Sequence, residues 1–121
     1  MKKRLAVLAS GSGSNLQSLI DAIKSNHIQK AEIALVISNK ENAYALERAK
    51  LSGIKDIFLN PKDFISNEEY DKKIVYLLKE NNINFIVLAG YLKILTEVLV
   101  NEYKNKIINI HPALLPAFGG K

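Results

Sequence analysis

Short uninterrupted apolar runs alternate along this chain with stretches in which apolar positions recur every three or four residues. The first pattern suits strands buried on both faces, the second suits amphipathic helices packed on one side. Residues 4–9 form a nearly all-apolar run and predict a strand. A glycine-serine turn over 10–14 follows, and Leu16, Leu19, Ile20 and Ile23 mark a helix over about 15–26. Residues 33–38 predict a second strand, and Ala45, Leu46 and Ala49 stripe a second helix that ends before Gly53. A short third strand holds Ile57, Phe58 and Leu59 and closes at Asn60-Pro61. Ser66 precedes Glu69 by capping-box spacing, with Glu69 reaching back. The helix they open carries Tyr70, Ile74, Leu77 and Leu78 on one face to about Asn81. Residues 85–89 predict a fourth strand, 96–103 a short helix, and 106–110 a fifth strand.

This alternation predicts an α/β fold: a Rossmann-like open parallel sheet with helices on both faces. The sequence stops at Phe118-Gly119-Gly120-Lys121 with no further helix or strand. A fifth strand left as an uncovered edge is an aggregation hazard. Residues 1–121 therefore read as the N-terminal portion of one larger α/β domain, truncated after its fifth strand.

Composition narrows the function classes. The chain has 121 residues, 48% of them hydrophobic, enough for a core. No run of eighteen apolar residues is present, so no transmembrane helix is expected. The basic start Met1-Lys2-Lys3-Arg4 leads into an apolar run too short for a signal peptide. With no cysteine, disulfides and thiolate metal sites are excluded, and a cytoplasmic setting fits. Seventeen basic residues against twelve acidic give a net charge of +5. The positives are scattered and not interleaved with aromatics, which reads as a solvated lysine-rich surface rather than a nucleic-acid site; a mild positive field would help gather small anions.

Two places carry chemistry. The turn Ser10-Gly11-Ser12-Gly13-Ser14-Asn15 joins the first strand to the first helix. Glycines allow close backbone approach, and the helix start offers unpaired N–H groups, so the turn suits a phosphate. An ordinary tight turn capped by Ser14 or Asn15 is the plainer alternative. A dinucleotide fits poorly, because Leu16 stands at the third glycine position and the second strand ends in Ser38-Asn39-Lys40 without an acid. No Gly-Lys-Ser/Thr follows, which argues against a P-loop. A phosphate monoester is the better match.

The second place is Asn109-Ile110-His111-Pro112 at the end of the fifth strand. Side chains two apart share a strand face, and Pro112 stops the ladder. An imidazole trades protons near neutral pH, and an amide can donate to an oxygen that turns negative. Together they suit acyl transfer, although either could be structural. His27, after the first helix, reads as structural. Glu68, Glu69 and Asp71 suit the dipole at the start of the third helix rather than a catalytic pair. Leu92, Ile94 and Leu95 read equally well as core or pocket wall.

With these residues in view, the chain resembles the phosphoribosylglycinamide formyltransferases, folate-dependent enzymes of purine biosynthesis. The resemblance runs in order through Gly11-Ser12-Gly13-Ser14-Asn15-Leu16-Gln17, Ile37-Ser38-Asn39-Lys40 and Leu46-Glu47-Arg48-Ala49. It continues through Val87-Leu88-Ala89-Gly90-Tyr91-Leu92-Lys93-Ile94-Leu95 and Asn109-Ile110-His111-Pro112-Ala113-Leu114-Leu115-Pro116. It implies that Gly13, Ser14 and Asn15 hold the substrate phosphate. Leu92, Lys93, Ile94 and Leu95 would line the folate pocket, with Leu88, Val100 and Ile107 packed behind. Asn109 would hydrogen-bond the formyl oxygen and His111 would act as general acid, with 10-formyltetrahydrofolate as cosubstrate, no covalent intermediate and no metal. The implied partners are these small molecules, with no nucleic acid and no membrane, and a homodimer is left open.

The resemblance breaks in three places. Some members have Arg near the start of the third helix, where Asn67 stands, and an Arg in the folate segment, where Lys93 stands. Altered folate affinity is expected there rather than lost chemistry. The family's Asp partner to the catalytic His, its remaining strands and its C-terminal helix fall beyond position 121, so the chain as given is expected to transfer poorly or not at all. Two alternatives remain: a formyltetrahydrofolate hydrolase or methionyl-tRNA formyltransferase of the same superfamily, and a non-catalytic phosphate-binding module.

Overall fold

A computed structural model describes residues 2–25 and 30–110. Its strands are β1 (Lys3–Ala9), β2 (Ala31–Ser38), β3 (Lys55–Phe58), β4 (Phe85–Leu88) and β5 (Ile107–Asn109). Its helices are α1 (Ser14–Lys24), α2 (Tyr44–Leu51), α3 (Asn67–Glu80) and α4 (Glu97–Glu102), with a 3₁₀ turn at Pro61–Asp63. The strands form one sheet in the order β3-β2-β1-β4-β5, and every pairing is parallel. The open parallel sheet expected from the alternating pattern is therefore present. Strand order reverses between β1 and β4, the switch point outside which such sheets bind ligands.

Alternation along the strands sends side chains to two cores. Leu5, Val7 and Ala9 of β1 pack with Leu16, Leu19 and Ile20 of α1 and Ala45, Leu46 and Ala49 of α2. Ala6 and Leu8 face the other way, onto Tyr70, Ile74 and Leu78 of α3 and Leu99 of α4. Residues 6–9 of β1 are fully buried, which is why that run lacks the polar alternation of a half-exposed strand. The β1–β2 register steps by one between Leu5 and Ala6, leaving Ala34 as a bulged residue.

Several element ends differ from the sequence reading. Gly13 in the left-handed region, not Ser14 or Asn15, is the N-cap of α1, and no side chain caps that end. The helix stops at Lys24, with Ser25 as C-cap. Ser66 does cap α3, its Oγ accepting the Glu69 N–H at 3.1 Å. The Glu69 carboxylate, however, pairs with Lys72 at 2.9 Å, one turn on, so the return half of the capping box gives way to an ion pair. Asp71 is no solvated dipole partner: it is fully buried beneath the loop that follows β4. Among the described residues β5 pairs with the four-residue β4 alone, over three residues. Among the described residues no helix is long and apolar enough to cross a membrane.

Candidate functional site

The glycine turn is built from behind by α2. Gly13 has φ 78°, and a Cβ there would lie 2.7 Å from Ala45 Cα and 2.8 Å from Ala45 Cβ. Only glycine fits both the conformation and the space. The Gly11 carbonyl accepts the Ala45 N–H at 3.2 Å. The Ser12 carbonyl accepts Arg48 Nε–H at 2.8 Å. The first intrahelical bond of α1 runs from Gln17 N–H to the Gly13 carbonyl at 2.8 Å. The N–H groups of Ser14, Asn15 and Leu16 precede it and have no carbonyl within the helix to meet. They sit at the positive end of an eleven-residue helix, the polarity an anion requires. An open cleft of about 490 Å³ runs from Ser10, Gly11 and Ser12 to residues 40–44.

Ser10 joins this turn to the next loop. Buried at the end of β1, it donates its hydroxyl to Asn39 Oδ1 at 2.7 Å and accepts the Leu92 N–H at 2.8 Å. The segment Leu92–Leu95 is tied at its far end too. Thr96 N–H and Oγ1–H both donate to Asp71 Oδ2, each at 2.8 Å. Between these anchors Leu92 and Ile94 are 78% and 82% exposed, while Leu95 is half-buried against the α3–α4 core. The segment thus presents two apolar side chains on a fixed backbone. Lys93 Nζ donates to Asn67 Oδ1 at 2.8 Å and sits 4.4 Å from the Tyr70 ring centroid, so Lys93 ties the segment to the start of α3.

Beneath the segment lies a buried polar group. Tyr70 donates its hydroxyl to the Leu59 carbonyl at 2.7 Å. Burial pushes its pKa up to about 12, against the neighbouring Tyr91 hydroxyl and with a push from Asp71. Tyr91 is pushed higher still, by burial first and then by Tyr70 and Asp71. Asp71 Oδ1 and Tyr91 Oη are both buried without a hydrogen-bond partner among the described residues.

Asn109 closes the rim. It pairs with Leu88, which in turn pairs with Leu8, so all three stand at one level of the sheet. The Ile110 N–H donates to the Leu88 carbonyl at 3.0 Å and continues the ladder. Asn109 is exposed and shares its strand face with Ile107, whose side chain packs on the α3–α4 core. The glycine turn and Asn109 therefore lie on the same carboxyl rim with one strand between them. Two strand spacings put their strands about 10 Å apart.

Comparison with known proteins bears on this arrangement. The sequence profile of the family described as formyl transferase matches residues 3–121. The chain belongs to the formyl transferase family. It is 48% identical over 118 residues to the phosphoribosylglycinamide formyltransferase of Haemophilus influenzae, covering 98% of this chain and 55% of that protein. It is 51% identical over 120 residues to the trifunctional purine biosynthetic protein adenosine-3 of Drosophila pseudoobscura, covering 98% of this chain and 9% of that protein. The glycinamide ribonucleotide transformylase 1 structure from Geobacillus kaustophilus superposes with a TM-score of 0.89 at 41% identity, covering 100% of this chain and 64% of that one. The chain thus spans about half the length of a bacterial formyltransferase relative and a small part of the trifunctional one.

Within this formyl transferase chain, the structure brings Gly13, Ser14 and Asn15 to one rim with Leu92–Leu95 and Asn109. Asn67 joins them through Lys93. Leu88 and Ile107 pack in the α3–α4 core, whereas Val100 on α4 is 40% exposed. His111, and with it the segment to Lys121, lies outside the described residues, as does His27. From sequence, Ser10, Asn39 and Arg48 carry no anchoring role and Asp71 reads as a dipole partner, yet all four hold the loops in place. Arg48 follows Ala45 by three positions, and that spacing puts both on the helix face that meets the turn. No comparable cue marks Asp71, because its partner Thr96 is 25 residues away.

Proposed function

We propose that the protein carrying this chain transfers a formyl group from 10-formyltetrahydrofolate to 5-phosphoribosylglycinamide, a step of purine biosynthesis. Residues 1–121 are then the N-terminal portion of its formyltransferase domain. The observation that carries the reading is the shared rim: a glycine turn at a helix N-terminus after β1, an exposed apolar segment after β4 and Asn109 at the end of β5, on adjacent strands. Family membership supports the reaction class.

In this reading Ser14, Asn15 and the Gly13 backbone hold the substrate phosphate. Leu92, Lys93, Ile94 and Leu95 receive the folate. The substrate amine attacks the formyl carbon, and Asn109 donates to the oxygen that becomes negative. His111 gives a proton to the departing folate nitrogen as its bond to the formyl carbon breaks. The attacking amine loses a proton to balance the exchange. No covalent bond to the protein is required. The lack of cysteine suits a cytoplasmic setting.

The test is an assay of the natural full-length protein with 10-formyltetrahydrofolate, with and without phosphoribosylglycinamide. Folate release that requires the acceptor, with one formyl product per folate, supports the reading. Equal release without it would instead indicate a hydrolase. No turnover beside tight phosphate binding would leave a binding module.

A further inference from the structure

Arg48 reaches out of α2 to the turn that precedes α1. Its Nε donates to the Ser12 carbonyl at 2.8 Å and its Nη1 to Gln17 Oε1 at 3.2 Å. Its guanidinium stacks on Tyr44, 4.8 Å from the ring centroid, and its Cδ would lie 3.2 Å from a Cβ at Gly13. One side chain thus touches the turn and the first turn of α1, and fills space that a side chain at Gly13 would need.

The backbone consequence follows from peptide planarity. In a trans peptide the C=O and N–H point in opposite directions. The Gly11 carbonyl is drawn toward α2 by Ala45, and the Ser12 carbonyl toward α2 by Arg48. The N–H groups of Ser12 and Gly13 are therefore turned away from α2. They join those of Ser14 and Asn15 as donors that no carbonyl of the helix claims. The guanidinium, bonded to the Ser12 carbonyl, lies on the far side of the turn from those donors. It adds a fixed positive charge to the helix dipole.

We propose that Arg48 is the positioning residue of the anion seat: it holds the Ser12–Gly13 peptide with its N–H outward and sets a positive charge behind it. This rests on the proposed phosphate role of the turn, and Arg48 itself need not touch the anion. A residue that merely tied α1 to α2 would change stability without favouring one substrate over the other.

The test measures dissociation constants of the full-length protein for inorganic phosphate and, separately, for 10-formyltetrahydrofolate, in the parent, Arg48→Met and Arg48→Lys. Arg48→Met should weaken phosphate binding about tenfold, through loss of a charge-assisted bond and of the charge itself. Folate binding should stay within about twofold of the parent, since its segment is anchored by Ser10 and Asp71. Arg48→Lys keeps the charge without the fork and should recover about half of the logarithmic loss. Unchanged phosphate affinity in Arg48→Met, or folate affinity falling in step with it, overturns the inference. A parent that binds no phosphate overturns it as well. Selective phosphate loss in a protein that transfers no formyl group upholds Arg48 and rejects only the proposed reaction.

Discussion

At Gly13 the backbone has no room for a side chain. Gly13→Ala would drive a methyl into Ala45 and force a left-handed conformation on a residue that resists it. We expect a loss of about 2 kcal/mol in stability. The rise in KM should be larger for the phosphate-bearing substrate than for folate, read by denaturant unfolding and steady-state kinetics. Asn109 tests the chemistry rather than the seat. Asn109→Ala in the full-length protein should lower kcat by about 10²- to 10³-fold, as expected for one oxyanion donor. His111→Ala should abolish turnover while both ligands still bind, and full activity in that variant would remove His111 from the mechanism. These residues stand out in the sequence as candidates because glycine spacing and an Asn-x-His-Pro strand exit are local patterns. The identity of the α1 cap was not, since it depends on how closely α2 approaches the turn.

The loop from Tyr91 to Thr96 is fixed by contacts that come from far along the chain. Ser10 holds its start and Asp71 its end. Asp71→Ala would strip two bonds from Thr96 and should cost about 2 kcal/mol in unfolding free energy. It should also raise the folate KM several-fold with little change in the phosphate-substrate KM. Asp71→Asn keeps an acceptor oxygen for Thr96 and should fall between. Equal effects on both substrates would show that the anchor does not act through this segment. The helices and strands themselves were readable, since β1, β2 and β4 are continuous apolar runs and α3 shows its stripe and cap. Asp71 was not readable as a buried anchor, because an acid in the second turn of a helix looks like a dipole partner until Thr96 is placed above it.

Across the molecule, the sheet gathers the site and the α3–α4 core sets its response to alkali. Tyr70 ionises near pH 12 in the folded protein against 10.0 for an unperturbed tyrosine, and Tyr91 is shifted in the same direction. The unfolded chain therefore loses these protons first. The stability they contribute is fully present below about pH 10 and is lost as pH rises toward 12. Thermal unfolding should show a melting temperature that declines over that window, and Tyr91→Phe should flatten part of the decline. An unchanged slope in Tyr91→Phe would place the loss elsewhere. The parallel topology and an edge position for the fifth strand followed from the sequence, but the pairing of β5 with β4 could be seen only once register was known. That position brings Asn109 level with Leu8 and Leu88, on the same rim of the sheet as the glycine turn.

The most direct measurement is a crystal structure of the full-length protein with phosphoribosylglycinamide bound. Phosphate oxygens should lie about 2.7–3.2 Å from the backbone nitrogens of the Gly13–Asn15 turn, with the ribose running toward β5 and the amine beside Asn109. A phosphate seated away from that turn, or an amine directed toward β3, would contradict it.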